Sequence, residues 1–508
     1  MTTIKYLSLT KFERFIVNIG GFFKGIGRGI VGFFRSLPRR FEGLGRKIAS
    51  PFETLFQAFK KGSWGVRTNF LVMGFYQLTH RQKVRGILFL LFEIVFIWYM
   101  IAIGAPYLGK LSTLGSFSPD TEILVDVAEG KTVTIGAGDK SFSILLYSIV
   151  TIILIIICIA LWYFSIRDAK SLQDNNYVGR FAKDKQFFDD ILNKNYHTLL
   201  LAIPMVGLVA FTVIPIIFMI VASFTNYSSV QINLFDWVEL DNYKQFFSSS
   251  TTAASGAGLT TIFLKVLAWT LIWALIATFT NYFLGMVIAL LINKKGIKLK
   301  KMWRTILILT IAVPQFVSLL LINQMLSGNG LLTNLFREWG WISGSMEAFD
   351  NAMLSRVLII IVNMWVGVPY TMLICSGLLM NIPEDLYESA RIDGASSFKM
   401  FSSITLPYML FITGPYLLSQ FIGNINNFNI IYLLSQGKPS MQLSGLGYGD
   451  VGDTDILITW IYKMSMEGQT KNYAVACALG VMVFIIIAVF SLISYSRSNS
   501  VKNEEDFQ

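Results

Sequence analysis

Apolar residues in this chain come in long runs separated by shorter charged stretches. Eight runs carry few charges: 85–108, 141–165, 198–224, 261–292, 304–326, 354–380, 408–434 and 472–496. A helix rises ~1.5 Å per residue, so about 20 residues cross the ~30 Å hydrocarbon layer of a bilayer. The runs do not alternate apolar and polar positions, as the strands of a membrane barrel do. The pattern therefore predicts an all-α integral membrane protein with about eight transmembrane helices. The fourth run is apolar over about 30 residues with its flanks, which predicts tilt or projection beyond the bilayer.

The stretches between runs are of different kinds. Residues 109–140 contain TEILVDVAEGKTVTIGAGDKSF, an alternating pattern around Glu129-Gly130 that predicts a small β-hairpin. GAGDKS in this stretch lacks the spacing of a phosphate loop, so no nucleotide site is expected on this chain. Residues 1–80 mix Phe and Ile with Lys, Arg and Gly, without a run long enough to span. A basic amphipathic segment in the membrane interface and a membrane-attracted tail of little order are both open readings. Pro38 and Pro51 divide it. Residues 381–407 form a polar island. Pro383 suits a first helical turn, and Glu384 and Asp385 then sit at the positive end of the helix dipole. Leu386 and Ala390 share a face, Gly394 stops the helix, and Ser396 or Ser397 caps a second one bearing Phe398 and Phe401. Pro407 opens the next span. Two short helices at a bend, with apolar side chains outside the membrane, need a partner.

Only 14% of the 508 residues are charged, against roughly a quarter in soluble domains. The net charge of +11 does not point to nucleic acid, because the bases lie beside alternate span ends. Arg167, Lys170, Arg180, Lys183, Lys185 and Lys194 lie in one such segment, and Lys294, Lys295, Lys298, Lys300, Lys301 and Arg304 in another. The positive-inside rule makes these segments, 381–407 and both termini cytoplasmic. Cys158, Cys375 and Cys477 fall within spans as small apolar fillers, and His80 and His197 precede spans without clustered partners for a metal. Glu93 in the first span reads as a helix–helix hydrogen bond, and Lys265 and Arg356 as residues that snorkel from span ends. The expected organisation is a basic segment over 1–84, a two-helix region over 85–197, a six-helix core over 198–496 and a tail over 497–508.

The spacing of Glu388, Ala390, Asp393, Gly394, Ala395, Phe401, Ile404, Leu406 and Pro407 resembles the EAA motif of ABC importer permeases. VNMWVGVPYTMLICSGLLMNIPEDLYESARIDGA, NINNFNIIYLLSQGKP, SFTNYSS and AVPQFVSLL are similar to the maltose/maltodextrin permease subunits of that family, over about 198–496. The resemblance implies a type I ABC importer permease core, with the motif as a coupling helix docked on an ATPase. It implies a second, MalG-like permease subunit, an ATPase homodimer that holds ATP-Mg, and an extracellular sugar-binding lipoprotein. No cofactor, catalytic residue or metal is implied for this chain. The short 225–260 segment fits the cell membrane of a Gram-positive bacterium.

A sugar offers hydroxyls that donate and accept, and mid-membrane amides serve both roles without charge. Asn363 lies in the sixth run, and Asn424, Asn426, Asn427 and Asn429 crowd the seventh. Residue by residue, the resemblance implies sugar contacts at Asn363, Val366, Gly367, Tyr370, Asn424 and Asn427. Three contact positions of the family are altered here, an aromatic to Gly423, a Tyr to Ile311 and a Ser to Gln315. Longer glucans or another oligosaccharide fit such a cavity as well as maltose. An ion-coupled secondary transporter is the alternative, and it leaves 381–407 without a role.

Overall fold

The computed structural model describes residues 51–116, 122–126, 131–135, 138–179, 184–194, 196–247, 259–294, 296–342, 347–441, 451–467 and 471–497. The basic stretch 1–50, the hairpin turn and the tail from 498 lie outside the described residues. Seven helices among the described residues are long and apolar enough to cross a membrane, and a bent pair brings the number to eight. The expected hairpin forms from β1 (Glu122–Asp126) and β2 (Lys131–Ile135), antiparallel, with Asp126 opposite Lys131.

Packing divides the chain into two units, 1–109 with 147–212, and 110–146 with 213–508. The expected boundary at 197/198 is not where the packing parts. Hydrogen bonds give the reason for the place of 110–146. Ser141 N donates to Asn233 O at 2.9 Å, Phe235 N donates to Ser141 Oγ at 3.1 Å, and Trp237 Nε1 donates to Leu111 O at 3.0 Å.

In the first unit, α1 (51–61), α2 (Trp64–Thr68) and α3 (Phe75–Thr79) precede the span α4 (Lys83–Gly109) and the part of the span α5 (Ser141–Tyr177) from Tyr147 on. The stretch from 51 to 79 is more than an interfacial strip. Ala58, Val66 and Tyr76 pack on Ile166, Ala169 and Leu172 of α5. The turn between α2 and α3 is tied down by polar groups that α5 presents. Asn69 Nδ2 donates to Ser165 Oγ at 2.9 Å, Gly74 N donates to the same oxygen at 3.1 Å, and Trp162 Nε1 donates to Phe70 O at 3.0 Å. Buried turn amides need such partners. At 37 residues α5 is about 55 Å long, more than a bilayer needs. The last turn of the apolar run, at Trp162 and Ser165, carries these hydrogen bonds, and the helix past it carries the apolar contacts of Ile166, Ala169 and Leu172. The span α6 (Tyr196–Ala222) is shared between the units.

In the second unit, α7 (Leu259–Asn293) is the central post, packed against α10 (Ala352–Leu379) and α13 (Leu406–Ile425). A Cβ on Gly285 would lie 2.7 Å from Thr371 Cβ and 2.9 Å from Met372 N, so α7 and α10 meet backbone to side chain there. Small residues allow such approach where no hydrophobic drive pulls helices together in lipid. Trp269 and Trp273 fill the core at one level of α7, and Tyr282 and Met286 at another. The fifth expected span is not one helix. It is α8 (Lys300–Ala312) and α9 (Gln315–Leu326), bent by 84°. Val313 is extended before Pro314, whose ring blocks a helical predecessor and whose nitrogen has no proton to give. The seventh span breaks after α13, where Asn426 and Asn427 leave helical geometry before α14 (Phe428–Ser435). A further helix, α15 (Leu457–Met466), packs against the last span α16 (Tyr473–Arg497) through Trp460, Val475 and Leu479.

Candidate functional site: an amide layer between spans

The apolar rows of α7 are interrupted at Thr278 and Asn281, both buried. Asn424 Nδ2 donates to Thr278 Oγ1 at 3.0 Å, and Trp273 Nε1 donates to the Asn424 carbonyl at 3.0 Å. Asn424 is thereby held against α7 just before the break in the seventh span. Broken helices in membranes leave backbone and side-chain polar groups to line protein-lined cavities. Asn427 caps α14 half-buried, and its N–H donates to Asn424 O at 3.3 Å.

Asn363 of α10 is 3% exposed, and its Nδ2 has no hydrogen-bond partner among the described residues. Asn281 is 9% exposed, and its Oδ1 has none either. Between them on α10 lies Gly367, one turn from Asn363, where an added Cβ would run into the Asn281 amide. Gly367 thus gives room to Asn281, a neighbouring helix, rather than standing open for a sugar ring. Asn281 was not among the residues that sequence reasoning selected. Its polar identity within the longest apolar run was the signal available. An unpaired buried donor and acceptor cost of the order of 1–3 kcal/mol each.

The other expected contacts divide. Val366 is half-buried, and Tyr370 is 50% exposed. Gln315 opens α9 directly after the Pro314 bend, half-buried. A Cβ on Gly423 would meet nothing within 4 Å, so space is open where the family pattern has an aromatic.

The polar island folds as α11 (Glu384–Ile392) and α12 (Ser397–Met400). Gly394 takes φ +75°, a left-handed value that ends α11, and Ala395 N donates to Ala390 O at 2.9 Å. Ser396 Oγ accepts from Lys399 N at 3.3 Å. Tyr387 and Thr405 hydroxyls meet at 2.8 Å and brace the bend. Leu386, Ile392 and Phe398 are exposed by 47%, 86% and 77%. Glu388, Asp393 and Pro407 are exposed too, whereas Ala390 and Ala395 are half-buried. Phe401 and Leu406 pack inward against the Tyr282–Met372 core. The second helix does not stop before the next span. It runs into α13 through a wide π turn at Phe401–Thr405, in which Leu406 N bonds Phe401 O, and this accommodates the missing N–H of Pro407.

Two isolated charges behave otherwise than expected. Arg356 does not snorkel. It donates to Asp453 O at 2.9 Å and lies 4.5 Å from the Trp269 ring, tying Asp453 to α10. Glu93 accepts from Met73 N at 2.8 Å, so it bonds the α2–α3 turn rather than a span. In the same loop region as Asp453, Asp455 and Lys463 form a buried pair at 2.7 Å, with Asp455 also accepting from Gly452 N and Thr459 Oγ1. Burial pushes the Asp455 carboxyl up, against the pull of Lys463.

Residues 281–497 match the family described as binding-protein-dependent transport system inner membrane component. The maltodextrin transport system permease protein MalC of Streptococcus pneumoniae serotype 4 is 30% identical over 447 residues, 86% of this chain and 96% of MalC. This chain belongs to that permease family. The galactooligosaccharides transport system permease protein GanP of Bacillus subtilis (strain 168) is 31% identical over 445 residues, 85% of the permease described here and 97% of GanP. The maltose/maltodextrin transport system permease protein MalF of Escherichia coli (strain K12) is 33% identical over 252 residues, 48% of this permease and 47% of MalF. The first two matches are longer than 198–496, so the likeness reaches into the N-terminal unit. The permease is thus an integral membrane transport component rather than a catalytic subunit.

Proposed function

We propose that this permease is one transmembrane subunit of an ATP-driven, binding-protein-dependent importer of an oligosaccharide, with maltodextrins as the first class to test. The observation that carries the reading is the amide layer. Asn281, Asn363 and Asn424 sit among apolar spans beside a helix break, and two of their polar atoms have no partner among the described residues. The sugar passes by alternating access, a two-state equilibrium that the nucleotide state of the ATPase and the loaded binding protein bias differentially. The bend at 381–407 carries that bias. Its exposed Leu386, Ile392 and Phe398 offer an apolar knob on a charged helix for the ATPase subunit. The chain forms half of the pathway and works with a second permease subunit, an ATPase homodimer holding ATP-Mg, and a surface-anchored sugar-binding protein. Both termini face the cytoplasm, and the cell is of Gram-positive type.

The experiment is uptake of a labelled maltodextrin in a strain lacking this gene, complemented by the permease, with competing glucans of increasing length and galactooligosaccharides. Uptake should require ATP and be competed by one oligosaccharide class. Uptake that survives ATP depletion and collapses with the ion gradient would establish the ion-coupled alternative instead.

A further inference from the structure

From Lys294 to Arg304, across the connection from α7 into α8, the chain reads KKGIKLKKMWR, six bases in eleven residues. No acid occurs between Asp241 and Glu338 to pair with them. Two of the bases turn onto neutral groups. Lys300 Nζ donates to Asn293 O at 3.1 Å. Arg304 Nη2 donates to Asn293 Oδ1 at 3.1 Å and to Ser376 Oγ at 3.3 Å, which joins α8 to α7 and α10. Arg304 Nε is buried without a partner among the described residues. Lys294, Lys298 and Lys301 are exposed, and their side chains make no hydrogen bond or ion pair among the described residues. The charges also work against the helix they precede. Lys300, Lys301 and Arg304 lie at the positive end of the α8 dipole, with no acid in its first turn and no side chain capping it. An external anion relieves both the mutual repulsion and the clash with the dipole.

The neighbours of the bases select the anion. Ile297, Leu299, Met302 and Trp303 are 40%, 66%, 42% and 50% exposed, interleaved with the lysines where one span ends and the next begins. An acidic protein surface pairs with the charges and leaves these apolar side chains without a use. A layer of phosphates above acyl chains serves both kinds. Trp and aliphatic groups enter the interface, and Lys stems lie along it with their ammonium groups at the headgroups. Four or more bases beside a span end are the pattern that holds anionic lipids. Ser376, which Arg304 contacts, lies shortly before the bend at 381–407, so an anchor here sits at the root of that bend.

We propose that the α7–α8 connection binds the phosphate of an anionic phospholipid through Lys294, Lys298, Lys301 and Arg304, and so ties the ends of α7, α8 and α10 to the membrane surface. The full chain is reconstituted in phosphatidylcholine with phosphatidylglycerol and re-extracted, and its retained lipids are counted by native mass spectrometry. Lys298→Gln together with Lys301→Gln removes two exposed charges and no contact of the fold. It should cut retained phosphatidylglycerol more than tenfold, at about fivefold per base, with retained phosphatidylcholine and the melting temperature unchanged. Lys298→Arg together with Lys301→Arg keeps the charge and should keep the lipid. Lys60→Gln removes an exposed base of the other unit and should leave retention as in wild type. Wild-type retention in the double Gln variant would overturn the proposal, and equal loss with Lys60→Gln would reduce the effect to diffuse attraction and overturn it too. A double Gln variant that keeps its phosphatidylglycerol but no longer co-purifies with the ATPase would make the patch a protein contact and overturn the lipid assignment.

Discussion

Asn363→Leu separates an amide kept for a ligand from one kept to glue helices. Asn363 is 3% exposed and its Nδ2 is unpaired among the described residues. Leucine keeps the branched outline of asparagine, with methyl groups in place of the amide atoms, and removes the uncompensated donor, worth about 1–3 kcal/mol. The variant should therefore be more stable than wild type. A chain of 508 residues unfolds with about 1 kcal/mol per kelvin of entropy, at ~2.1 cal/mol/K per residue, so the melting temperature should rise by roughly 1–3 °C. Transport should move the other way. A lost hydrogen bond to a sugar hydroxyl, together with the hydroxyl left facing Leu, should weaken uptake by about tenfold in KM. The assays are tryptophan-fluorescence melting of the detergent-purified chain and labelled maltodextrin uptake into proteoliposomes holding the complete importer. Asn424→Leu is the contrast, because its amide bonds Thr278 at 3.0 Å and its loss should lower the melting temperature. If Asn363→Leu lowers the melting temperature and leaves KM alone, the residue is structural and the reasoning from unpaired atoms fails.

Gly394→Val places a β-branched residue at φ +75°, at a cost of about 1–2 kcal/mol or more, and should leave ATP hydrolysis while uncoupling it from uptake; normal coupling ratios would refute the docking role. Lys463→Met leaves Asp455 buried without its cation and should cost about 3–5 kcal/mol, seen as a lowered melting temperature, whereas adding Asp455→Leu should restore most of it. Hydrogen bonding to Lys110 holds the Asp139 carboxyl below its usual range, so the pair stabilises the fold above the ordinary Asp value and the contribution fades as pH falls below about 4. Lys110→Met should flatten that part of the melting-temperature profile; an unchanged slope assigns it to other carboxylates.

The spans were legible because hydrocarbon imposes one rule along the whole chain. Every backbone group must be satisfied within the helix and nearly every side chain must be apolar, so a run of apolar residues is already a structural statement. The bend at 381–407 was legible for a related reason. Gly394 and Ser396 act on their own neighbours, and local geometry needs no tertiary partner to be read. The Pro314 bend and the break at Asn426 sat in plain sight as local signals, yet both fell within apolar runs that read as continuous.

What sequence alone determined is therefore the membrane class, the number of apolar runs, the hairpin and the helix-breaking turn before Ser396. What only tertiary structure decided is which polar atoms have partners. Asn363, Asn424 and Gly367 look alike as candidate contacts until α7 is placed beside them. Then Thr278 satisfies one amide, Asn281 fills the space beside the glycine, and one donor and one acceptor are left over. The reason is physical. Hydrogen-bond satisfaction depends on distances between residues far apart in the chain, and no local propensity encodes them.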